Sequence, residues 1–528
     1  KNYLFWDGIQ AQVAITEPEL VKEVLKNSEK AFPKQKPPIY VSRLLGDGLV
    51  TTEGEKWAKQ RKLANYVFHG ESLKETTNSL LAWTVFLLAV HRDWQEKARR
   101  EKMNVIVKLA ILLTSSFCLY LLIALVKVLH QYWWVPLRIQ HLLSSQGIKG
   151  PPYRFIHGNN KEVNHFRKEA LSKHMALTHD IFPKVLPHVY SWINIYGKNY
   201  LFWDCIQAQV AITEPELVKE VLKNSEKAFP KQKPPIYFSR LLGDGLATTE
   251  GKKWAKQRKL ANHAFHGESL KNMTPAVIAS VERMLEQWKG QEGKEIEVFQ
   301  EFRLLTSEVI SRTAFGSSYL EGKKIFDMLM ELSIIETTNS LLAWTVLLLA
   351  VHRDWQEKAR REVIEIFGNQ NPHSEGLAKL KTITMIMYET LRLYAPVNGL
   401  VRKVGREIQL GKLVLPAGIE FMIPNMALHH DPELWGDDVH LFKPERFAEG
   451  IAKATKYNAA AFIPFGLGPR SCVGMSFATT ETKTALSMIL QRYTIALSPA
   501  YVHSPVSNLT LRPQHGIQVI LQSLHSDA

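Results

Sequence analysis

Residues 465–474 of this 528-residue chain read Phe465-Gly466-Leu467-Gly468-Pro469-Arg470-Ser471-Cys472-Val473-Gly474. Glycines let a backbone turn tightly and approach a bulky group without a Cβ clash. Arg470 lies two positions before Cys472, and a helical pattern begins near Gly474. A nearby cation and a helix N-terminus both lower the pKa of a thiol. The loop therefore predicts a thiolate that acts as a nucleophile or as a metal ligand.

The alternative for Cys472 is a buried structural cysteine, which behaves as a small apolar side chain. Such a cysteine does not require the Gly-x-Gly-x-Arg-x-Cys-x-Gly spacing that surrounds it. The loop resembles, residue for residue, the heme-ligand signature of cytochrome P450 monooxygenases. The resemblance implies that Cys472 is the axial ligand of a heme b iron. It also implies that Phe465 and Gly468 help to enclose the cofactor and that Arg470 reaches a propionate.

Three more residues resemble the cofactor-binding positions of the family. Trp254 and Arg258 lie four positions apart, so they share one face of a helix. They resemble the Trp-x-x-x-Arg pair that binds a heme propionate, and Arg402 is a third candidate of this kind. The alternative for Trp254 is a core or interface anchor.

Glu389 and Arg392 form a Glu-x-x-Arg pattern, which brings their charges together within one helical turn. Taken alone, this pattern describes an ordinary surface ion pair. Phe442-Lys443-Pro444-Glu445-Arg446-Phe447 follows about fifty positions later and precedes the cysteine loop. This order resembles the family's Glu-Arg-Arg network, which implies a structural role for Glu389, Arg392 and Arg446.

Glu336 and Thr337 resemble the acid–alcohol pair of the family's oxygen-binding helix. A carboxylate beside a hydroxyl can relay protons, so the resemblance implies a catalytic role for this pair. The sequence departs from the family pattern at Ile334, where a glycine is expected. We expect the branched side chain of Ile334 to crowd the oxygen-binding side of the pocket.

The front of the chain repeats parts of the rest. Residues 1–74 recur as 198–271 with six differences, and residues 75–101 recur as 336–362 with the single difference Phe86/Leu347. In both copies the second segment starts abruptly at Glu-Thr-Thr-Asn. The family has several helices before this point, so the resemblance implies a deletion near residues 326–336.

Residues 109–126 form an uncharged run between Lys108 and Lys127, which is long enough to span a bilayer. The alternative is a buried core helix. We predict a partial duplicate at 1–102, a membrane anchor at 103–130, an interfacial linker at 131–152 and a heme-thiolate catalytic domain at 153–528. The expected fold is mainly α with a small β region, the cytochrome P450 fold, incomplete before the oxygen-binding helix.

Local patterns predict individual elements within that fold. Thr213 is predicted to cap a helix, with Glu216 completing a capping box. Residues 200–203 and 207–212 are predicted strands because they are short runs with β-branched and aromatic side chains. Residues 399–404, 408–414 and 419–423 are also expected to form strands.

Composition restricts the partners. The net charge of +15 favours an acidic protein or an anionic membrane as partner. Nucleic acid is disfavoured, because the basic residues do not form a cluster interleaved with aromatic residues. Three cysteines form no disulfide framework, which favours a reducing or cytosol-facing location. The family resemblance implies an anchor in the endoplasmic reticulum membrane, with the catalytic domain in the cytosol and NADPH-cytochrome P450 reductase as electron donor.

Closer similarity is carried by residues 133–138, 148–154 and 509–516, which resemble the plant secologanin synthase-like branch. This branch implies a terpenoid-type substrate. Two alternatives remain from the duplication and the deletion. One is a heme-binding relic without turnover, and the other is a membrane-tethered product of a decayed or misassembled gene that holds no heme.

Met103 begins a stretch that runs directly into the anchor, as a natural N-terminus would. We therefore predict that residues 1–102 belong to a neighbouring gene copy and are not joined to the native protein. Mass spectrometry of the protein isolated from its source should find no peptide that spans residues 100–104. Detection of such a peptide would show that the duplicate is part of the mature chain.

Overall fold

The computed structural model describes residues 3–7, 10–26, 54–69, 71–224, 228–232, 243–246, 248–315, 337–507 and 510–524. The chain forms two compact units, Lys1–Ile123 and Ala124–Ala528. Ile334, which we expect to crowd the pocket, and Glu336, a predicted catalytic residue, lie outside the described residues.

The first unit contains a β-hairpin and helices. Its elements are β1 (Tyr3–Asp7), β2 (Gln10–Ala14), α1 (Pro18–Lys26), α2 (Gly54–His69), α3 (Glu71–Val90) and the beginning of α4 (Arg92–Leu129). The two strands pair antiparallel. Neither α1 nor α4 contains a buried residue.

The predicted anchor lies within α4. In the described part of the chain, one helical stretch, Arg92–Ser145, is long and apolar enough to cross a membrane, and no residue of its apolar window is buried. A helix that is apolar on all sides is stable either in a protein core or in lipid. The exposure is therefore consistent with a membrane anchor and disfavours a buried core helix.

The second unit is mainly helical. After a π-helical turn at His130–Trp134, its helices are α5 (Val135–Ser145), α6 (Asn160–Ser172), α7 (Phe182–Val185), α8 (Pro187–Tyr196), α9 (Pro215–Lys223), α10 (Gly251–Ala264), α11 (Glu268–Trp288), α12 (Val298–Ile310), α13 (Thr337–Val351), α14 (Arg353–Phe367), α15 (Ser374–Lys379), α16 (Lys381–Leu393), α17 (Asn425–His429), α18 (Pro432–Trp435), α19 (Ile451–Ala454) and α20 (Met475–Arg492). Short 3₁₀ turns lie at Pro444–Phe447, Ala459–Ala461 and Gly468–Arg470, and a second π-helical turn lies at Ser311–Phe315.

The strands of this unit form small sheets. They are β3 (Asn199–Asp204), β4 (Gln207–Ile212), β5 (Glu295–Glu297), β6 (Leu400–Lys403), β7 (Ile408–Leu410), β8 (Leu413–Leu415), β9 (Glu420–Ile423), β10 (Tyr493–Leu497), β11 (Pro505–Ser507), β12 (Leu511–Pro513) and β13 (Gln518–Ser523). The largest described sheet has the order β3-β4-β9-β6, with β4 and β9 parallel. A second sheet has the order β10-β13-β5. The prediction of a mainly α fold with a small β region is confirmed.

Helix α13 lies at the centre of the core. Every residue from Asn339 to Ala350 is buried, and the helix packs against α12, α16 and α20. Its apolar side chains point in all directions, as expected for a helix that is surrounded by protein. The duplicated segment in α3 behaves differently: Leu80 and Trp83 are 74% and 66% exposed, whereas Leu341 and Trp344 are 2% and 0% exposed.

Two local predictions are wrong. Helix α9 begins at Pro215 with Glu214 in the capping position, and no side chain caps it. Pro215 already removes one unsatisfied N–H at the first helical position, and Thr213 instead donates its hydroxyl to the Lys198 carbonyl at 2.7 Å. Residues 408–414 were expected to form one strand, but Gly411 at φ +56° turns the chain between β7 and β8.

Candidate active site

A cavity of about 380 Å³ lies at the centre of the second unit. It is lined by residues from α12, α13 and α20, from the chain after α16 and from the cysteine loop: Phe265, Thr306, Ile310, Thr337, Thr338, Leu341, Leu391, Pro396, Val397, Leu400, Arg402, Pro464, Phe465, Gly466, Arg470, Cys472, Gly474, Phe477, Ala478 and Glu481. Its size is that of a small-molecule or cofactor site, roughly 300–1,000 Å³.

The cysteine loop is a tight turn held by its own backbone. The Cys472 N–H donates to the Phe465 carbonyl at 2.8 Å, and the Ser471 N–H donates to the Gly468 carbonyl at 3.0 Å. Gly468 has φ +77°, and a Cβ there would lie 2.4 Å from the carbonyl oxygen of Leu222 in α9. Gly468 is therefore required for the close approach of the loop to α9, and it does not line the cavity.

The pKa of the Cys472 thiol is raised, whereas the sequence predicted that it is lowered. Burial raises the pKa of this thiol, although the Gly474 N–H and the charge of Arg258 act in the opposite direction. The expectation of a lowered pKa was wrong because the desolvation of the sulfur outweighs the helix N-terminus and the cation. Cys472 is solvent-accessible on the side of the cavity that it lines. A metal ion there would deprotonate the thiol outright.

Trp254, Arg258 and Arg470 form the support behind the loop. The guanidinium of Arg470 lies 3.8 Å from the ring centroid of Trp254, a cation–π contact, and Trp254 is buried. Arg470 also donates to the Thr249 carbonyl at 3.0 Å and pairs with Glu250 at 2.9 Å. Arg258 donates to the Ser471 carbonyl beside Cys472. Trp254 and Arg258 therefore contact the loop and do not line the cavity.

The cavity carries an excess of positive charge. Arg402 is 4% exposed, and its Nε has no hydrogen-bond partner. Burial and the charge of Arg470 lower the pKa of Arg402 to about 10. Lys231 belongs to the same cluster: burial, Arg402 and Arg470 lower its pKa to about 8, and Glu250 only partly opposes them. This site therefore favours an anionic ligand.

Thr337 and Thr338 lie in the first turn of α13 and line the same cavity as Cys472. The structure thus places the predicted catalytic hydroxyl and the predicted axial ligand around one space. Glu336, the other member of the predicted pair, lies outside the described residues.

Glu389, Arg392 and Arg446 form a buried network. Glu389 and Arg392 are both 0% exposed and make two contacts of 2.8 and 2.7 Å. Arg446 lies 3.4 Å from the Glu389 carboxylate and pairs with Asp438 at 2.6 Å. This arrangement excludes the surface ion pair that the Glu-x-x-Arg pattern alone allows.

The network reaches the cysteine loop through His429. Arg392 donates to the His429 carbonyl at 3.0 Å, and the Ile463 N–H donates to His429 Nε2 at 3.0 Å. The Ile463 carbonyl then accepts the Gly466 N–H at 3.0 Å. These hydrogen bonds connect Arg392 to the backbone of the loop that carries Cys472.

The sequence interpretation missed Glu481. This residue is 2% exposed, lines the cavity and has an Oε1 atom without a hydrogen-bond partner. Burial raises the pKa of its carboxyl to about 8. The helical spacing of Gly474, Phe477, Ala478 and Glu481 places all four on one face, so periodicity alone would have found it.

The sequence matches one protein family and several of its known members. The family model for cytochrome P450 matches residues 1–75, 188–335 and 334–521. Cytochrome P450 CYP749A22 from Panax ginseng is 49% identical over 507 residues, covering 78% of this chain and 97% of that protein. The 11-oxo-beta-amyrin 30-oxidase of Glycyrrhiza uralensis is 38% identical (74% of this chain, 94% of that protein). The 7-deoxyloganic acid hydroxylase of Catharanthus roseus is 35% identical (75% and 96%).

The chain belongs to the cytochrome P450 family of heme-thiolate monooxygenases, whose cofactor is heme b. The residues that line the cavity suit that cofactor in their charge and in the type of ligand atom that they offer. It presents one sulfur as a soft ligand for iron, and a buried guanidinium with a free Nε for a propionate.

Substitution of Arg392 by Ala should lower the free energy of unfolding by about 3–5 kcal/mol, because Glu389 is left as a buried, unpaired charge. Urea-induced unfolding of the detergent-solubilised chain, followed by tryptophan fluorescence, measures this change. Lys173→Ala removes an exposed ion pair with Glu169 and serves as the control, with a much smaller effect. Equal effects of the two substitutions would contradict a buried network.

Glu481 predicts a pH-dependent stability. The folded carboxyl titrates at about 8 and the unfolded one at 4.5, so the folded state binds the extra proton between these values. Stability attributable to this group is therefore lost as pH rises from about 5 to 8. Glu481→Gln should be more stable than the parent at pH 8, with a smaller difference at pH 5.

Thermal unfolding at several pH values between 5 and 8 tests this expectation. The exposed Glu445 is the matched control, and Glu445→Gln should follow the parent profile. A stability difference between Glu481→Gln and the parent that does not change with pH would contradict the assignment.

Proposed function

We propose that this chain is a monooxygenase of terpenoid-type small molecules, with Cys472 as the axial ligand of its heme. The observation that carries the proposal is the shared cavity, in which Cys472 lies among the same lining residues as Thr337 and Thr338. A heme-thiolate monooxygenase requires a thiolate ligand for iron and a proton-relaying group around one space.

The residues of the site have separate roles in binding heme, holding the cysteine loop and transferring a proton. Arg402 and Arg470 would bind the propionates, Phe465 of the cysteine loop lines the cavity, and Trp254 and Arg258 hold that loop in place. The Gly474 N–H holds the sulfur of Cys472. Thr337, with Glu336, moves a proton towards the reacting oxygen. Heme with an axial thiolate supplies the activation of dioxygen.

The substrate class follows from the relatives and from the cavity wall. Two relatives carry names that state oxidation of 7-deoxyloganic acid and of 11-oxo-beta-amyrin. Much of the remaining lining is apolar and includes Phe265, Ile310, Leu341, Leu400 and Phe477. An apolar wall with few polar groups suits a terpenoid skeleton.

A second candidate is a heme-binding relic without turnover. The family match over residues 188–521 is split into two segments that meet at residues 334–335, within the region where the deletion is predicted. The alignment with the ginseng relative spans 507 positions, more than the 78% of 528 residues that it covers here, so the relative has positions without a counterpart in this chain. In this candidate the Cys472 side is intact and the oxygen side is incomplete.

The remaining parts of the proposal concern location and partners. Residues 103–130 anchor the chain in the endoplasmic reticulum membrane, 131–152 form an interfacial linker, 153–528 form the cytosolic catalytic domain, and 1–102 are a partial duplicate. The long exposed apolar helix supports the anchor. The net charge of +15 suits an acidic electron donor such as NADPH-cytochrome P450 reductase.

A reduced carbon-monoxide difference spectrum tests the site. The parent chain should show the Soret band of a thiolate-ligated heme, and Cys472→Ala should abolish it. Cys118→Ala, at an exposed cysteine of the anchor helix, is the control and should leave the band unchanged. A thiolate-type band in Cys472→Ala would refute the ligand assignment.

Turnover with the reductase and NADPH then separates the two candidates. Oxidised product from an iridoid or triterpenoid substrate identifies the monooxygenase. A thiolate-type Soret band without product, across both substrate classes, identifies the relic.

A further inference from the structure

Three side chains outside the heme cavity meet at one point of the second unit. Asp180 precedes α7, His430 follows α17, and His440 lies between α18 and the turn at Pro444–Phe447. One ligand atom from each of them lies within 4.8 Å of the other two. We propose that Asp180, His430 and His440 form a binding site for a first-row divalent cation, with zinc as the best fit.

The state of His430 supports metal binding. Its Nε2 lies 3.0 Å from the Leu393 carbonyl, which can only accept, so Nε2 carries the proton and Nδ1 keeps its lone pair. His430 is 4% exposed, and its Nδ1 has no hydrogen-bond partner. A metal-ligating histidine typically donates its other N–H to a carbonyl in this way. His430 therefore offers a buried, unpaired acceptor, and one of its ring nitrogens lies within 4.8 Å of the ligand atoms of Asp180 and His440.

The imidazole of His440 also has a ring nitrogen without a hydrogen-bond partner. His440 Nδ1 is shielded from solvent and has no hydrogen-bond partner, although it lies 3.5 Å from Asp180 Oδ1. Two unpaired ring nitrogens beside one carboxylate oxygen form a mixed nitrogen–oxygen set. Such a set favours zinc and its neighbours over magnesium or calcium, which prefer oxygen alone.

The surroundings let the site close around an ion. The side chains of His440 and Asp180 are 37% and 43% exposed, so both can shift by the small amount that bonds of about 2.0–2.2 Å require. The exposed side also offers an entry path and room for a water as fourth ligand. His430 stays fixed by the Leu393 carbonyl.

The buried network positions the two histidines. Arg392 donates to the carbonyls of His429 and Leu441 at 3.0 and 3.4 Å, and these residues adjoin His430 and His440. The charge of Arg392 is balanced by its two contacts with Glu389, which limits its repulsion of a cation. A bound ion would link the segment before α7 to the two segments that Arg392 holds.

The test uses the full heme-loaded chain in detergent, dialysed against buffered zinc chloride. Zinc per chain is measured by plasma mass spectrometry, and zinc-edge X-ray absorption reports the ligands. The parent should bind one zinc with two imidazole nitrogens. His440→Ala and Asp180→Asn, at partly exposed positions, should each weaken zinc binding at least tenfold. An unchanged heme Soret band verifies that the variants fold.

His165→Ala is the matched control, since His165 is an exposed histidine on α6. It should bind zinc as the parent does. Equal zinc affinity in the parent, His440→Ala and Asp180→Asn overturns the proposal. The same holds if His165→Ala loses zinc to the same extent, because the ion would then be bound by surface histidines in general.

Discussion

The ion pair between Glu389 and Arg392 is the contact on which the second unit depends. Both side chains are completely buried, so the pair is stable only because every polar atom finds a partner. The guanidinium orders the carbonyls of His429 and Leu441, and the carboxylate accepts the Lys443 N–H at 3.1 Å. Three distant segments are thereby held at one point. His429 extends this order to Ile463 and so to the loop of Cys472.

The duplicated segment shows how far local sequence determines structure. Residues 78–90 and 339–351 differ at one position, and both are helical. In α13 every residue from Asn339 to Ala350 is buried, whereas in α3 Leu80, Leu81, Trp83 and Leu87 are exposed. Helix formation is thus encoded locally, because the same residues favour it twice. Burial is not, because it depends on neighbours such as α12 and α16 that pack against α13.

The features that could be predicted from the sequence are those with a fixed spacing. The cysteine loop, the Glu-x-x-Arg turn and the strands at 200–203 and 207–212 each carry their signal within a few residues. The direction of the Cys472 pKa was not predictable, because desolvation depends on atoms from several elements. The contact between Trp254 and Arg470 was not predictable for the same reason, because it joins positions more than two hundred residues apart.

The buried guanidiniums of Arg402 and Arg470 affect the stability of the chain when no heme is bound. Burial and the charge of Arg470 lower the pKa of Arg402, and an anionic ligand such as the propionates of the proposed heme would relieve this repulsion. A ligand that binds only the folded chain stabilises it by mass action. With the proposed propionate contacts, folding and heme loading are thermodynamically linked, and the steady-state amount of this protein would follow heme supply. Chains that emerge when heme is scarce become preferred substrates for quality-control proteolysis.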